Sequence, residues 1–289
     1  MSRYLPEVEA IAREAGKLLM DHFARRVTIE YKGEVDLVTE ADRESEELIV
    51  RRLRARWPEH GIVAEEGTRS ETAAEYRWYV DPLDGTTNFA HGYPVFCVSI
   101  ALARQATTAS ARPALEEGGE LQVGVLYDPA RDEMFAAERG LGARLNGKLI
   151  RVSQTGNLLE SLLGTGFPSH KRHKNPNIHF YHQLTLRSHG VRRAGSAALD
   201  LANVACGRYD GFWEFNLNPW DTAAGVLLVQ EAGGTVTRFD GTAFRLDSRE
   251  VLASNGLIHQ ELIRNFADIF AGRELEELPS PVEYARTRC

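Results

Sequence analysis

Apolar residues at the start of the chain recur with a helical period: Leu5, Val8, Ile11, Ala12, Ala15, Leu18, Leu19 and Phe23 share one stripe, with Glu, Arg and Lys elsewhere. This spacing predicts an amphipathic helix over residues 3–25. Thr39-Glu40-Ala41-Asp42 has the form of an N-cap with an acid three residues later, and the helix it opens runs through Leu48, Ile49 and Leu53 and stops before Pro58. The pattern then becomes one of short apolar runs: Gly61 to Ala64, Trp78 to Val80, Val95 to Ala103, Val123 to Tyr127 and Glu133 to Ala137. Asn146-Gly147 between two further runs is a hairpin signal.

The later part of the chain mixes the two periods. Strands are predicted at Leu162 to Phe167 and at Val191 to Arg193, the latter running into Gly195-Ser196-Ala197 at the head of an Ala/Leu-rich helix that ends at Ala205. Phe212 to Phe215 is a strand bearing one acid, Glu214, among aromatics. Trp220-Asp221-Thr222 opens a helix through Val229 that Gly233-Gly234 closes. Strands at Thr235 to Thr237 and near Val251 to Ala253, then a helix over Ile258 to Phe270, complete an α+β pattern. The expected organisation is one domain over 1–273, built of two closely fused halves of about 1–150 and 151–273, with a frayed tail over 274–289. Residues 105–120 show no periodicity and are expected to form a mobile loop.

Composition narrows the function classes. A chain of 289 residues can bury a large core, and a net charge of −7 argues against a nucleic-acid backbone as the main partner. No opening run resembles a signal peptide or a membrane span, which predicts a cytoplasmic protein. Cys97, Cys206 and Cys289 have neither the count nor the spacing of a disulfide framework or a zinc knuckle. His170, His173, His179, His182 and His189 crowd one stretch, but their irregular spacing in a polar context reads as a solvated loop and helix face.

Chemistry concentrates in Val80-Asp81-Pro82-Leu83-Asp84-Gly85-Thr86-Thr87-Asn88-Phe89, where an apolar strand ends in two carboxylates and a glycine turn. Asp81 and Asp84 lie close enough in a bent turn to share one divalent cation, which would relieve their mutual repulsion. Pro82 biases Asp81 toward an extended conformation, and the Leu83 carbonyl is left as a spare hard oxygen ligand. Amides from Gly85 onward open a helix and are placed to face an anion. An EF-hand loop is excluded because its acids alternate, and an Asp-x-Asp-Gly-Thr phosphatase motif because one extra residue separates these aspartates. Glu65, after the Gly61 strand, and Asp221, in a first helical turn, are further acids at element ends; taken alone, Asp42 and Asp221 read as cap and dipole-complementing residues.

Four ordered blocks resemble the inositol monophosphatase family of magnesium-dependent phosphatases: Asp36 to Asp42, Ala64-Glu65-Glu66, Asp81 to Phe89, and Trp220 to Gly225 with Glu231-Ala232-Gly233-Gly234 behind it. Ala64 departs from the glycine usual there. The resemblance implies a five-layer αβαβα sandwich of the inositol monophosphatase and fructose-1,6-bisphosphatase type, usually homodimeric, lithium-sensitive and dependent on two to three Mg²⁺. It also implies roles: Glu65, Asp81 and the Leu83 carbonyl for one ion, Asp81, Asp84 and Asp221 for a second, with Glu65 assisting a third. Asp42 and Thr86 would orient the attacking water, the amides of Gly85 and Thr86 would bind phosphate, and Gly195, Ser196, Ala197 and Glu214 would contact the hydroxyls of a polyol leaving group. The implied substrate is a small phosphate monoester such as myo-inositol 1-phosphate, with histidinol phosphate, fructose bisphosphate and 3′-phosphoadenosine 5′-phosphate as alternatives. A sugar-phosphate sensor or an RNA polymerase- or ribosome-associated regulator is the non-enzymatic reading.

Overall fold

The computed structural model describes residues 3–25, 29–31, 37–69, 74–105, 119–167, 175–278 and 280–286. Two helices and a short strand pair come first: α1 (Leu5–Phe23), β1 (Ile29–Tyr31), β2 (Leu37–Thr39) and α2 (Glu40–Arg56). Then follow β3 (Gly61–Ala64), β4 (Tyr76–Asp84), α3 (Thr86–Ala90), β5 (Cys97–Arg104), β6 (Glu120–Asp128), β7 (Glu133–Glu138), β8 (Ala143–Leu145) and β9 (Lys148–Leu149). The chain continues through β10 (Leu162–Thr165), α4 (Asn177–Arg187), β11 (Gly190–Arg192), α5 (Ala197–Ala205), β12 (Gly211–Phe215) and α6 (Pro219–Glu231). It ends with β13 (Thr235–Thr237), β14 (Glu250–Ser254), α7 (His259–Phe270) and α8 (Pro281–Arg286).

Two sheets organise these elements. Seven strands run in sequence order from β3 to β9, antiparallel except for the parallel β3–β4 pair. The other sheet has the order β11-β10-β12-β14-β13, with β10 parallel to both neighbours. Strand alternation sorts the core. Trp78 and Val80 pack with Ile11 of α1 and Ile49 of α2, whereas Tyr79 between them faces the cluster holding Leu201 of α5 and Leu227 of α6. On β12, Phe212 joins that central cluster and Trp213 turns to Phe180 of α4 and Phe266 of α7. The layers are therefore α1/α2, large sheet, α5/α6, small sheet, α4/α7, the αβαβα sandwich that the resemblance implies. Lying between two sheets, α6 is buried almost all round from Thr222 to Val229, which is why it lacks a polar face.

Sequence expectations hold for most elements, and the hairpin residues Asn146 and Gly147 adopt positive φ of 48° and 77°. The tail differs. Gln183 of α4 donates to the Glu276 carbonyl at 2.8 Å and accepts from its amide at 3.0 Å, Arg187 donates to the Glu274 carbonyl, and Pro281–Arg286 is helical. Backbone hydrogen bonds to a neighbouring helix order a segment too poor in apolar residues to signal order by itself. Of the expected mobile loop, residues 106–118 lie outside the described residues, as do His170, His173 and Cys289.

Helices α5 and α6 approach closely at Gly225, where an added Cβ would lie 2.5 Å from the Leu201 Cβ and 2.7 Å from its Cδ1. Alanine there gains about 1 kcal/mol of helix propensity but overpacks at a cost of about 1–3 kcal/mol. Gly225→Ala is expected to lower stability in urea unfolding; a rise in stability contradicts the close packing of the central layer.

Candidate functional site

β4 carries the centre of the site. Its pairing with β5 is regular to Asp81, opposite Ser99, and resumes at Asp84, opposite Cys97, so the acids flank a bulge. Pro82, with no N–H to donate, sits in that bulge. The Leu83 amide turns back to Asp81 Oδ1 at 3.0 Å, and Ser45 Oγ of α2 donates to the Pro82 carbonyl at 3.0 Å. The strand thus continues through both acids instead of ending at the first. Gly85 follows with φ 97°, and a Cβ there would come within 2.8 Å of the Val95 carbonyl oxygen.

Three other elements bring acids to this bulge. The Glu65 amide donates to the Val80 carbonyl at 3.2 Å, which sets Glu65 beside Asp81 as β3 leaves the sheet. Its carboxyl group is hydrogen-bonded to that of Asp81. Asp221 lies at the third position of α6 in a capping box, its Oδ2 accepting from the Asn218 amide at 2.7 Å. Ser99, the register partner of Asp81, donates to the Trp220 carbonyl at 3.1 Å and so ties α6 to β5 at this point. Asp84 Oδ2 accepts from Ser196 Oγ at 2.6 Å and from the Ala198 amide at 2.8 Å, at the N-terminus of α5. Asp42, fully buried at the start of α2, accepts through Oδ1 from Thr86 Oγ1 at 3.1 Å. The same hydroxyl lies 3.0 Å from the Leu83 carbonyl, whose second lone pair is not used by that bond.

Electrostatics define what this cluster needs. Asp81 is buried, with Glu65, Asp84 and Asp221 half-buried around it. Burial, then the neighbouring Asp221, pushes Glu65 up to about 8; burial, opposed by the Asn218 hydrogen bond, pushes Asp221 up to about 8. Burial and the charges of Glu65, Asp84 and Asp221 hold Asp81 well above the usual carboxylate range. The leading charged neighbours of Glu65, Asp81 and Asp221 are all other carboxylates. As placed, no three described His, Cys, Asp or Glu side chains close on one point at ligating distance. Asp84 and Asp221 each direct one oxygen to a helix N-terminus, and Glu65 and Asp81 bond to each other. The donor chemistry, four carboxylates and a carbonyl with no cationic side chain among their leading neighbours in the described residues, suits a hard divalent ion.

The other expected residues are placed as follows. The Gly85 amide faces the Asp84 carboxylate, while Thr86 opens α3. The Gly195 carbonyl, with those of Ala194 and Val95, faces the Asn88 side-chain amide, a clamp between α3 and the segment leading into α5. Ser196 caps α5 with its hydroxyl committed to Asp84, and Ala197 follows. Glu214 is 7 % exposed on β12 and pushed up to about 8 by burial and by Asp84, with Arg193 opposing.

Several contributors are not evident from sequence. Glu46 accepts from the Glu66 amide at 2.6 Å and the Thr68 hydroxyl at 2.6 Å, fixing the loop that carries Glu65. Its only sequence signal is an acid on the predicted buried side of a helix. Ser99 looks like an ordinary strand residue. Asp200, 1 % exposed, has no hydrogen-bond partner for either carboxylate oxygen among the described residues.

Comparison with known proteins shows what the whole chain is similar to. The model of the inositol monophosphatase family matches residues 2–270. The inositol-1-monophosphatase of Synechocystis sp. is 46% identical over 257 residues, covering 88% of this chain and 85% of the relative. The Nus factor SuhB of Pseudomonas aeruginosa is 45% identical over 252 residues, covering 84% and 88%. Among solved structures, inositol monophosphatase from Anabaena (Nostoc) sp. superposes with a TM-score of 0.80 at 43% identity, covering 92% of this chain and 95% of that one.

The folded-state values near 8 for Glu65 and Asp221 lie above their ordinary 4.5 and 3.8, so between them the folded chain binds more protons than the unfolded chain. Stability gained this way is present at low pH and lost as pH rises through the folded values. Thermal unfolding in chelator should therefore show a midpoint that falls from about pH 5 to about pH 8, and a Glu65→Gln, Asp221→Asn variant should flatten the fall. A flat parent profile contradicts the clustering of these acids.

Proposed function

Because this chain belongs to the inositol monophosphatase family, a family of phosphoric monoester hydrolases, we propose that it hydrolyses a small polyol phosphate, foremost myo-inositol 1-phosphate, with Mg²⁺ as cofactor. The observation that carries the reading is the convergence of Glu65, Asp81, Asp84 and Asp221 from three elements, with no cationic side chain among their leading charged neighbours in the described residues. Glu65, Asp81 and the Leu83 carbonyl would hold one ion, and Asp81, Asp84 and Asp221 another, with Glu65 assisting a third. Bound there, divalent ions supply neutralisation of the phosphate dianion, a more acidic water and stabilisation of the leaving alkoxide.

The chain's own residues do the rest. Thr86 Oγ1, bonded to buried Asp42, is placed to accept from and orient the attacking water, while Asp42 fixes the hydroxyl. The amides at Gly85 and Thr86 would cradle the phosphoryl oxygens. Water oxygen bonds to phosphorus as the ester P–O bond breaks, the proton passes to the departing alkoxide, and alcohol and inorganic phosphate leave. Glu214, with Gly195, Ser196 and Ala197, would border the leaving group, and a carboxylate accepting from two hydroxyls suits a polyol. The family resemblance also implies a homodimer and lithium sensitivity.

The name Nus factor, carried by several relatives, offers a second reading, a regulator associated with transcription. The complete acidic set supports the enzymatic one.

Phosphate release from myo-inositol 1-phosphate, histidinol phosphate, fructose bisphosphate and 3′-phosphoadenosine 5′-phosphate, with and without Mg²⁺ and lithium, tests the assignment. The expected result is Mg²⁺-dependent hydrolysis with inositol phosphate preferred. Asp81→Asn should lower turnover by at least on the order of a hundredfold; near-native Mg²⁺-dependent rates in that variant overturn the ligand assignment.

A further inference from the structure

Asn177, the first residue of α4, lies on the face of the small sheet opposite the carboxylates, yet its side chain is wholly buried and bonded at both ends. Its Nδ2 donates to the Gly166 carbonyl at 2.6 Å and to Thr165 Oγ1 at 3.0 Å, and its Oδ1 accepts from Trp213 Nε1 at 2.6 Å. Thr165 Oγ1 in turn donates to the Trp213 carbonyl at 2.7 Å, across a β10–β12 register that pairs these two residues. Two of Asn177's three bonds end on neighbours of Glu214, and the third ends on Thr165, which is itself bonded to Trp213. Trp213 precedes it on β12 and points the other way, and Gly166 covers it: a Cβ built on Gly166 would overlap the Glu214 carboxyl group. Glu214 is thus buried with the Gly166 backbone against its carboxyl group.

We propose that Asn177 is a positioning residue for leaving-group recognition: it holds the Gly166 backbone flush against the Glu214 carboxylate and so fixes the acceptor that selects polyol hydroxyls. This rests on the proposed contact between Glu214 and the leaving group. A buried amide used only for packing would serve stability alone, whereas this one sets the position of an acceptor across the sheet. Small displacements of such groups are costly, because a shift of about 1 Å lowers rates on the order of a hundredfold.

The test compares kcat/KM for myo-inositol 1-phosphate with that for p-nitrophenyl phosphate, which has no polyol, in Mg²⁺-loaded protein, alongside thermal unfolding. Asn177→Asp keeps the acceptor for Trp213 and loses both donors. It should lower the ratio of the two kcat/KM values by at least about tenfold, chiefly through KM for inositol phosphate, with p-nitrophenyl phosphate hydrolysis within about twofold of the parent. Asn177→Ala removes the same two donors without burying a charge and serves if Asn177→Asp fails to fold, while Gly166→Ala displaces Glu214 directly and should lower the ratio equally. If Glu214→Ala lowers the ratio while the Asn177 variant leaves it unchanged, the positioning role is overturned. An unchanged ratio in Glu214→Ala overturns the leaving-group contact itself, and with it the role of Asn177. Loss of both activities in parallel marks a structural role only and also overturns the proposal.

Discussion

The constraint on which the structure turns is the gathering of like charges in a poorly solvated place. Two carboxylates about 4 Å apart repel by about 4 kcal/mol at an effective dielectric of 20, and a whole domain is stable by only about 5–15 kcal/mol. Glu65, Asp81, Asp84 and Asp221 therefore do not all stay ionised side by side unless something positive joins them. Among the described residues the fold supplies partial charges: the N-terminus of α5 at Asp84 and the N-terminal turn of α6 at Asp221. The protons held by Glu65 and Asp81 do the rest until a cation displaces them.

The architecture around this cluster follows from the need to deliver the acids from distant parts of the chain. β3 and β4 run parallel, so Glu65 leaves the sheet next to Asp81. The Pro82 bulge keeps Asp81 and Asp84 at one strand end. The central helical layer serves both sheets, bringing Asp221 and Ser196 from the second half of the chain. Asn88 and Ser99 tie that layer to the large sheet through backbone carbonyls, so the acids arrive in a fixed relation.

Local features of the fold were legible because they have local causes. The stripe from Leu5 to Phe23, the Asn146-Gly147 turn and the acids around Pro82 depend on residues close in sequence. Asp221 alone looks like a first-turn acid, and it is one: it closes a capping box while also facing the cluster. What could not be read is long-range. Ser99 is legible as a strand residue but not as the tie to Trp220, and Glu46 as a helix acid but not as the anchor of the Glu65 loop. Asn177 depends on three partners, one in each of two strands and one just past the end of β10. The order of the five layers came only with the family resemblance, since hydrophobic period does not say which face meets which. The tail misled because Gln183 and Arg187 order it through backbone atoms, which composition does not encode.

The central claim is that the acidic cluster exchanges protons for divalent cations. Calorimetric titration of Mg²⁺ into metal-free protein near pH 7, repeated in buffers of different ionisation enthalpy, measures the protons released on binding. With Glu65 and Asp221 pushed up to about 8, the account predicts net proton release that is reduced in a Glu65→Gln, Asp221→Asn variant. Binding without proton release, or no Mg²⁺ binding at all, would contradict it.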